Sequence, residues 1–215
     1  MRFVCAVAGA ALFACNLAGL AETKVQCDQT LTVPLRSGAV LLIGSRPAGL
    51  EIVGTDQQAI HVTCHGGDYE DAAQHILLQF TPTADGGKLT VGGSRVRHGN
   101  GLQVRIEVPW KTNLSVHMPA GEVKVEEIKG DKDIDLYAGQ ITISSEHEWN
   151  YRSVNASVTI GQVSARVYGT DKGGFFRSFT KKTPNGEYRL HAHVMTGEID
   201  LVGRKARAEG ARGPD

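Results

Sequence analysis

Gly121-Glu-Val-Lys-Val-Glu-Glu-Ile-Lys-Gly130-Asp-Lys-Asp-Ile-Asp-Leu-Tyr-Ala-Gly139-Gln-Ile-Thr-Ile143 decides the architecture of this chain. Behind each glycine, polar and apolar residues alternate with a period of two. That period sends successive side chains to opposite faces of a β-strand. The phrase returns at Gly38-Ala-Val-Leu-Leu-Ile43, Gly49-Leu-Glu-Ile-Val53, Gly161-Gln-Val-Ser-Ala-Arg-Val167 and Gly197-Glu-Ile-Asp-Leu201. The leading glycine supplies a turn that residues with a Cβ resist. On this reading strands begin at Gly121, Gly130, Gly139 and Gly161, with others at 154–160, 187–190 and 197–202. Their inward residues are Val123, Val125, Ile134, Leu136, Ile141, Ile143, Val163, Val167, Ile199 and Leu201. Short strands with turns between them predict one all-β domain over 22–202, a solenoid-like coil of short glycine-led strands. An antiparallel β-sandwich is the alternative.

Outward from that stretch the alternation persists. Leu102-Gln-Val-Arg-Ile-Glu-Val108 ends at Pro109, and Leu114-Ser-Val-His-Met118 is closed by Pro119. Ile60-His-Val-Thr-Cys64 is a further strand, and Pro34 demotes Leu31–Leu35 to an edge or a strand end. Residues 68–80 open with acids as a helix would, but strands on both sides favour a loop or single helical turn and then a strand at 75–81, stopped by Pro82. Gly169 to Asn185 breaks the rhythm. It reads as a glycine- and lysine-rich loop holding Phe175, Phe176 and Phe179. Those aromatics either cover an open end of the sheet or form an exposed contact surface, and they are the candidate binding residues.

Lys+Arg and Asp+Glu both number 23 in 215 residues, so the formal charge is zero. Neutralising phosphates needs a basic excess, which excludes a nucleic-acid partner. Aromatics at 6% are too few for a base-stacking platform. Residues 1–21 read as a signal peptide: Arg2, an apolar run from Phe3 to Leu20, and small residues at Gly19 and Ala21 before a cut at Glu22. Two other fates are open to the same segment. It could stay as a membrane anchor, or Leu12-Phe-Ala-Cys15 could serve as a lipobox that acylates Cys15 and puts the protein on a membrane. The remaining pair, Cys27 and Cys64, shares parity with the apolar neighbours Val25, Ile60 and Val62. Export favours a disulfide between them, worth about 4 kcal/mol from loop entropy; the alternative is two buried thiols. Residues 203–215, which include Arg204-Lys-Ala-Arg207, are charged and small and read as a disordered tail.

The rungs of 121–143 and the ending Gly186-Glu-Tyr-Arg-Leu-His-Ala-His-Val-Met-Thr-Gly197-Glu-Ile-Asp-Leu201 resemble the bacterial putative-adhesin family of unknown function, across about residues 30 to 202. The resemblance implies a β-solenoid-like fold and a periplasmic, extracellular or other envelope location. It carries no established enzymatic activity and no catalytic motif. The Phe175–Phe179 segment and the cysteine pair depart from the family pattern and gain no role from it.

Several groups could carry chemistry. His191-Ala-His193 puts two imidazoles on one strand face, with His61, His117 or a carboxylate as a conceivable third metal ligand. With Leu190, Ala192 and Val194 on the other parity, both histidines read as solvent-facing. Asp131, Asp133 and Asp135 likewise share one face, but three acids on one strand cannot wrap calcium in six to eight oxygens. Glu146-His-Glu148 beside Trp149 has no marked nucleophile, and Asn155-Ala-Ser157 is a sequon only in a eukaryotic secretory route. The expectation is an exported, non-catalytic envelope or adhesion-type protein without cofactor or metal, meeting a protein or polysaccharide at the cell surface. A polysaccharide lyase or hydrolase on a parallel β-coil, and a structural or regulatory envelope protein, are the alternatives.

Overall fold

Four of the glycines that lead the repeats, Gly121, Gly139, Gly161 and Gly197, lie inside long strands, where they bend them. The computed structural model describes residues 21–46, 48–66, 75–93, 101–145 and 150–203. Residues 1–20, on which the signal-peptide and lipobox expectations fall, the acids of 68–74, Glu146 to Trp149 and residues from Arg204 on lie outside the described residues. Thirteen strands follow in chain order: β1 (Thr23–Gln26), β2 (Leu31–Pro34), β3 (Val40–Ser45), β4 (Gly49–Thr55), β5 (Ala59–His65), β6 (Leu77–Thr83) and β7 (Gly86–Gly92), then β8 (Gln103–Pro109), β9 (Asn113–Glu126), β10 (Lys132–Ser145), β11 (Tyr151–Ala165), β12 (Thr170–Lys182) and β13 (Tyr188–Gly203). A 3-10 turn, Arg166–Tyr168, joins β11 to β12, and there is no α-helix among the described residues. The protein is all-β, one mixed sheet that does not close into a barrel.

Burial parity shows where the strands bend. In β9 the buried residues are Leu114, Val116 and Met118, then Val123 and Val125. In β10 they are Ile134 and Leu136, then Ile141 and Ile143. The even set inverts to an odd set at Gly121 and Gly139, as it does around Gly161 in β11 and Gly197 in β13. All four glycines have φ between 134° and 147°. They are in register, Gly121 beside Gly139, Gly139 beside Gly197, and Gly197 beside Gly161. A Cβ on Gly139 would collide with the carbonyl of Gly121, one on Gly197 with that of Gly139, and one on Gly161 with that of Gly197. The ladder is therefore a shared corner, open only to glycine. Each long strand is one complete rung, with one arm before the corner and one after it, and the buried residues of both arms form a single core.

The short strands build rungs in two pieces. β3 and β4 pair in parallel with the two halves of β9, and β7 and β8 pair in parallel with β3 and β4. Antiparallel strands finish this end: β6 and β1 on the first arm, β5 and β2 on the second. The disulfide Cys27–Cys64, with Cα atoms 5.6 Å apart, ties the two arms together here. At the other end β9, β10, β13 and β11 are all parallel, and β12 runs antiparallel along β11. The centre thus has the parallel pairing of a coil and both ends the antiparallel pairing of a sandwich. The chain does not climb the stack in order, because β13 inserts between β10 and β11.

Several local expectations are corrected. Gly130 and Gly139 do not start separate strands; β10 spans from just after the first to beyond the second. Gly169 to Asn185 is largely strand β12, and its break in rhythm is the antiparallel return. Gly203 closes β13. β9 runs through Pro119, because β3 reaches only as far as His117 and β4 starts only at Val123, leaving no neighbour on that side to need the missing N–H. β6 runs through Pro82 for the same reason, since β1 covers only Leu77 to Phe80. Of the ten inward residues named above, nine are fully buried; Val167, in the 3-10 turn, is partly buried against the core.

Candidate functional site

The two arms present different outer faces. On the second arm, Glu51, Arg105, Glu107, Lys124 and Glu126 interlock. Arg105 meets Glu51 and Glu107 at 3.0 Å each, and Lys124 meets Glu126 at 2.9 Å and Glu51 at 3.5 Å. Burial alone would raise the Glu51 carboxyl, but Arg105 and Lys124 outweigh it and hold its pKa below the ordinary value. These five charges are spent on one another.

The outer face of the first arm is built from rows that cross the rungs, because parallel strands in register set like positions side by side about 4.8 Å apart. One row joins Ser115, Asp133, His191 and Asn155; the next joins His117, Asp135, His193 and Ser157. His191 Nδ1 lies 2.8 Å from Asp133, and His193 Nδ1 lies 3.0 Å from Ser157 Oγ. Arg189 forks onto Asp131 at 3.1 and 3.2 Å. The three aspartates therefore face outward together, as the alternation implies, and two of them are occupied by residues of β13. His117 joins His193 on the Asp135 row, whereas His61 lies on the other arm, bonded to Thr32. No group of three or more His, Cys, Asp or Glu among the described residues is placed to hold a metal ion.

Beside the second row, just before the glycine corner, runs an apolar ridge. Tyr137 sits between the rungs that place Pro119 on one side and Met195 on the other. Ile160 of β11 lies one position nearer the corner, beside Thr196 of β13, and faces Phe175 of β12. Tyr137 is 63% exposed, Phe175 67% and Phe176 81%; Met195 and Ile160 are exposed as well. A shallow cleft of about 420 Å³ follows the ridge, lined by His117, Pro119, Asp135, Tyr137, His193 and Met195. Phe176 holds φ at +52°, in the left-handed region that a bulky side chain rarely occupies. Phe179 is placed differently from its two neighbours: it is buried and stacks on Tyr168 at 5.1 Å.

The sequence singles out Phe175 and Phe176, which are exposed, but not Tyr137, Met195, Pro119 or Ile160. A signal was present. Tyr137, Met195 and Pro119 each stand two residues before a corner glycine and on the outward parity of their strand. Large apolar residues on that parity mark a dry outer surface once the glycines are known to align.

Lys132 was missed too. It sits at an inward position with its ammonium buried, donating to Ile128 O at 2.8 Å, Gly130 O at 3.1 Å and Tyr151 Oη at 2.5 Å. Burial pushes its pKa down to about 7, and Asp131 pulls the other way.

No family model matches the chain, and no curated protein does. Among solved structures, it is similar to a putative cell adhesion protein from Clostridium sporogenes, at 11% identity and a TM-score of 0.49, covering 82% of this chain and 99% of that one.

Proposed function

We propose that this chain is an exported, non-catalytic binding protein of adhesion type that works through the ridge of the first arm. The observation that carries the reading is the exposure of Tyr137 and Met195, with Ile160 and Phe175 one register step nearer the corner, which keeps large apolar side chains in water across successive rungs. Isolated exposed apolar residues are ordinary, but a contiguous row rimmed by polar groups marks a contact surface. Its rim is His117, Asp135 and His193, which offer hydrogen bonds that orient a ligand. The Cys27–Cys64 disulfide supports export, since such bonds persist in oxidising compartments. The ligand is a protein or polysaccharide at a cell surface.

The test is adhesion of the purified protein to whole cells and to immobilised matrix polymers. Tyr137→Ser with Met195→Ser is compared with wild type, and Glu122→Gln on the second arm is the control. Loss of binding in the ridge variant alone is the expected result. Equal binding by all three removes the ridge from the account.

A further inference from the structure

The ridge runs out onto β12, and β12 is the last strand of the sheet. It pairs with β11 alone, so its other backbone edge has no strand neighbour among the described residues. Such an edge is a template for a further strand. Proteins commonly guard edges with cations, and β12 carries Lys172, Arg177, Lys181 and Lys182. A guard alone would not include Phe175 and Phe176, both largely in water. The one acid of the strand, Asp171, is taken by Gln162. The edge is therefore a strongly basic strip with an aromatic centre, in a chain whose formal charge is zero.

We propose that the free edge of β12 docks an extended acidic segment of a partner protein, which adds to the sheet as a further strand. This rests on the reading of the ridge as a contact surface and extends it to the class of partner. Main-chain hydrogen bonds along the edge give such binding its strength, and alternate side chains give it specificity. Alternation puts Lys172, Phe176 and Lys182 on one face of β12 and Phe175, Arg177 and Lys181 on the other, so the incoming strand meets cations with carboxylates towards its ends and covers the two aromatics with apolar residues at its centre. A second copy of this chain is the wrong occupant, because edge-to-edge pairing of two β12 strands sets cations against cations. In the free protein Arg177 Nε donates to Gly173 O at 2.7 Å, and Lys172 Nζ to Ser178 O at 3.4 Å. Both contacts are exposed, and contacts of that kind are weak enough for an acidic partner to redirect.

The probes are three labelled peptides, each about eleven residues long, the length of a long strand. One has Glu at both ends of a central Val run, one has Lys in place of Glu, and one is the acidic peptide with every second amide N-methylated. Fluorescence anisotropy reports binding to the full protein, and hydrogen exchange reports where it occurs. The acidic peptide is expected to bind saturably and to slow exchange across 170–182. N-methylation, the Lys peptide, and the double variant Lys181→Glu with Lys182→Glu should each weaken binding by about tenfold or more. Four results overturn the proposal: no saturable binding; slowed exchange confined to other strands; indifference to N-methylation, which makes the attraction purely one of side chains; or a dimer in which 170–182 is already protected. If the peptide fails while Tyr137→Ser with Met195→Ser still abolishes cell adhesion, strand addition is removed and the ridge stands. If both fail, the reading of the ridge falls with it.

Discussion

The two arms share one core and one corner, yet their outer faces follow opposite logic. On the second arm Glu51, Arg105, Glu107, Lys124 and Glu126 satisfy one another. On the first arm Tyr137, Met195 and Ile160 stand in water beside His117, Asp135 and His193. Inward packing does not explain this difference, because the buried residues of both arms are mainly aliphatic. The contrast separates what the fold requires from what the surface adds. Outward changes on the second arm should register as stability, and outward changes on the ridge as binding.

The largest effect is expected at the corner the arms share. Gly139→Ala forces a Cβ into the carbonyl of Gly121 at a φ of 134°. A loss of about 3 kcal/mol or more is expected in urea unfolding, since backbone strain and a steric clash combine. Gly173→Ala, with open space around the new Cβ, should change little.

A second effect belongs to the core beneath the first arm. Lys132 titrates near 7 in the folded protein and at about 10.5 when unfolded. The unfolded chain therefore holds this proton more tightly. The penalty for burying the charge is fully present below pH 7 and is relieved as the pH rises from there toward 10.5. Stability should climb by up to about 1.4 kcal/mol per pH unit across that window. Lys132→Met should flatten the slope, as thermal melts at pH 6 and pH 9 would show.

Smaller effects sharpen the contrast between the faces. Glu51→Ala removes the carboxylate that both Arg105 and Lys124 reach, at a cost of about 0.5–1 kcal/mol that shrinks in high salt. The Glu51 contribution holds above the ordinary carboxylate range and fades as the pH falls through it, because its folded pKa is lowered. Smallest of all on stability is Tyr137→Ser, expected within about 0.5 kcal/mol of wild type while adhesion is lost. A large stability loss at Tyr137 would show that the ridge is part of the packing.

Much of this was legible in the residues. Alternation named nine fully buried core positions, and parity together with export paired Cys27 with Cys64. The bends were not legible, because a glycine that turns a strand and a glycine that starts one precede the same alternation. Only the parity flip, from Leu136 to Ile141, distinguishes them. The ridge was hidden for a related reason: Pro119, Tyr137 and Met195 are far apart in the chain and meet only through register. Lys132 was masked because a lysine between Asp131 and Asp133 reads as solvated even though it shares the inward parity of Ile134. The place of β13 had no local signature, since strand order is decided by long-range pairing.

That place governs how the molecule can be assembled. The last described strand to leave the ribosome is the keystone between β10 and the β11–β12 hairpin. Until residues 188–203 have emerged, everything after β10 has nothing to dock on, and a chain cut short before Tyr188 leaves two fragments with open seams. Such dependence on distant sequence slows folding. It also makes an incomplete copy easy to tell from a finished one, because the mortar arrives last.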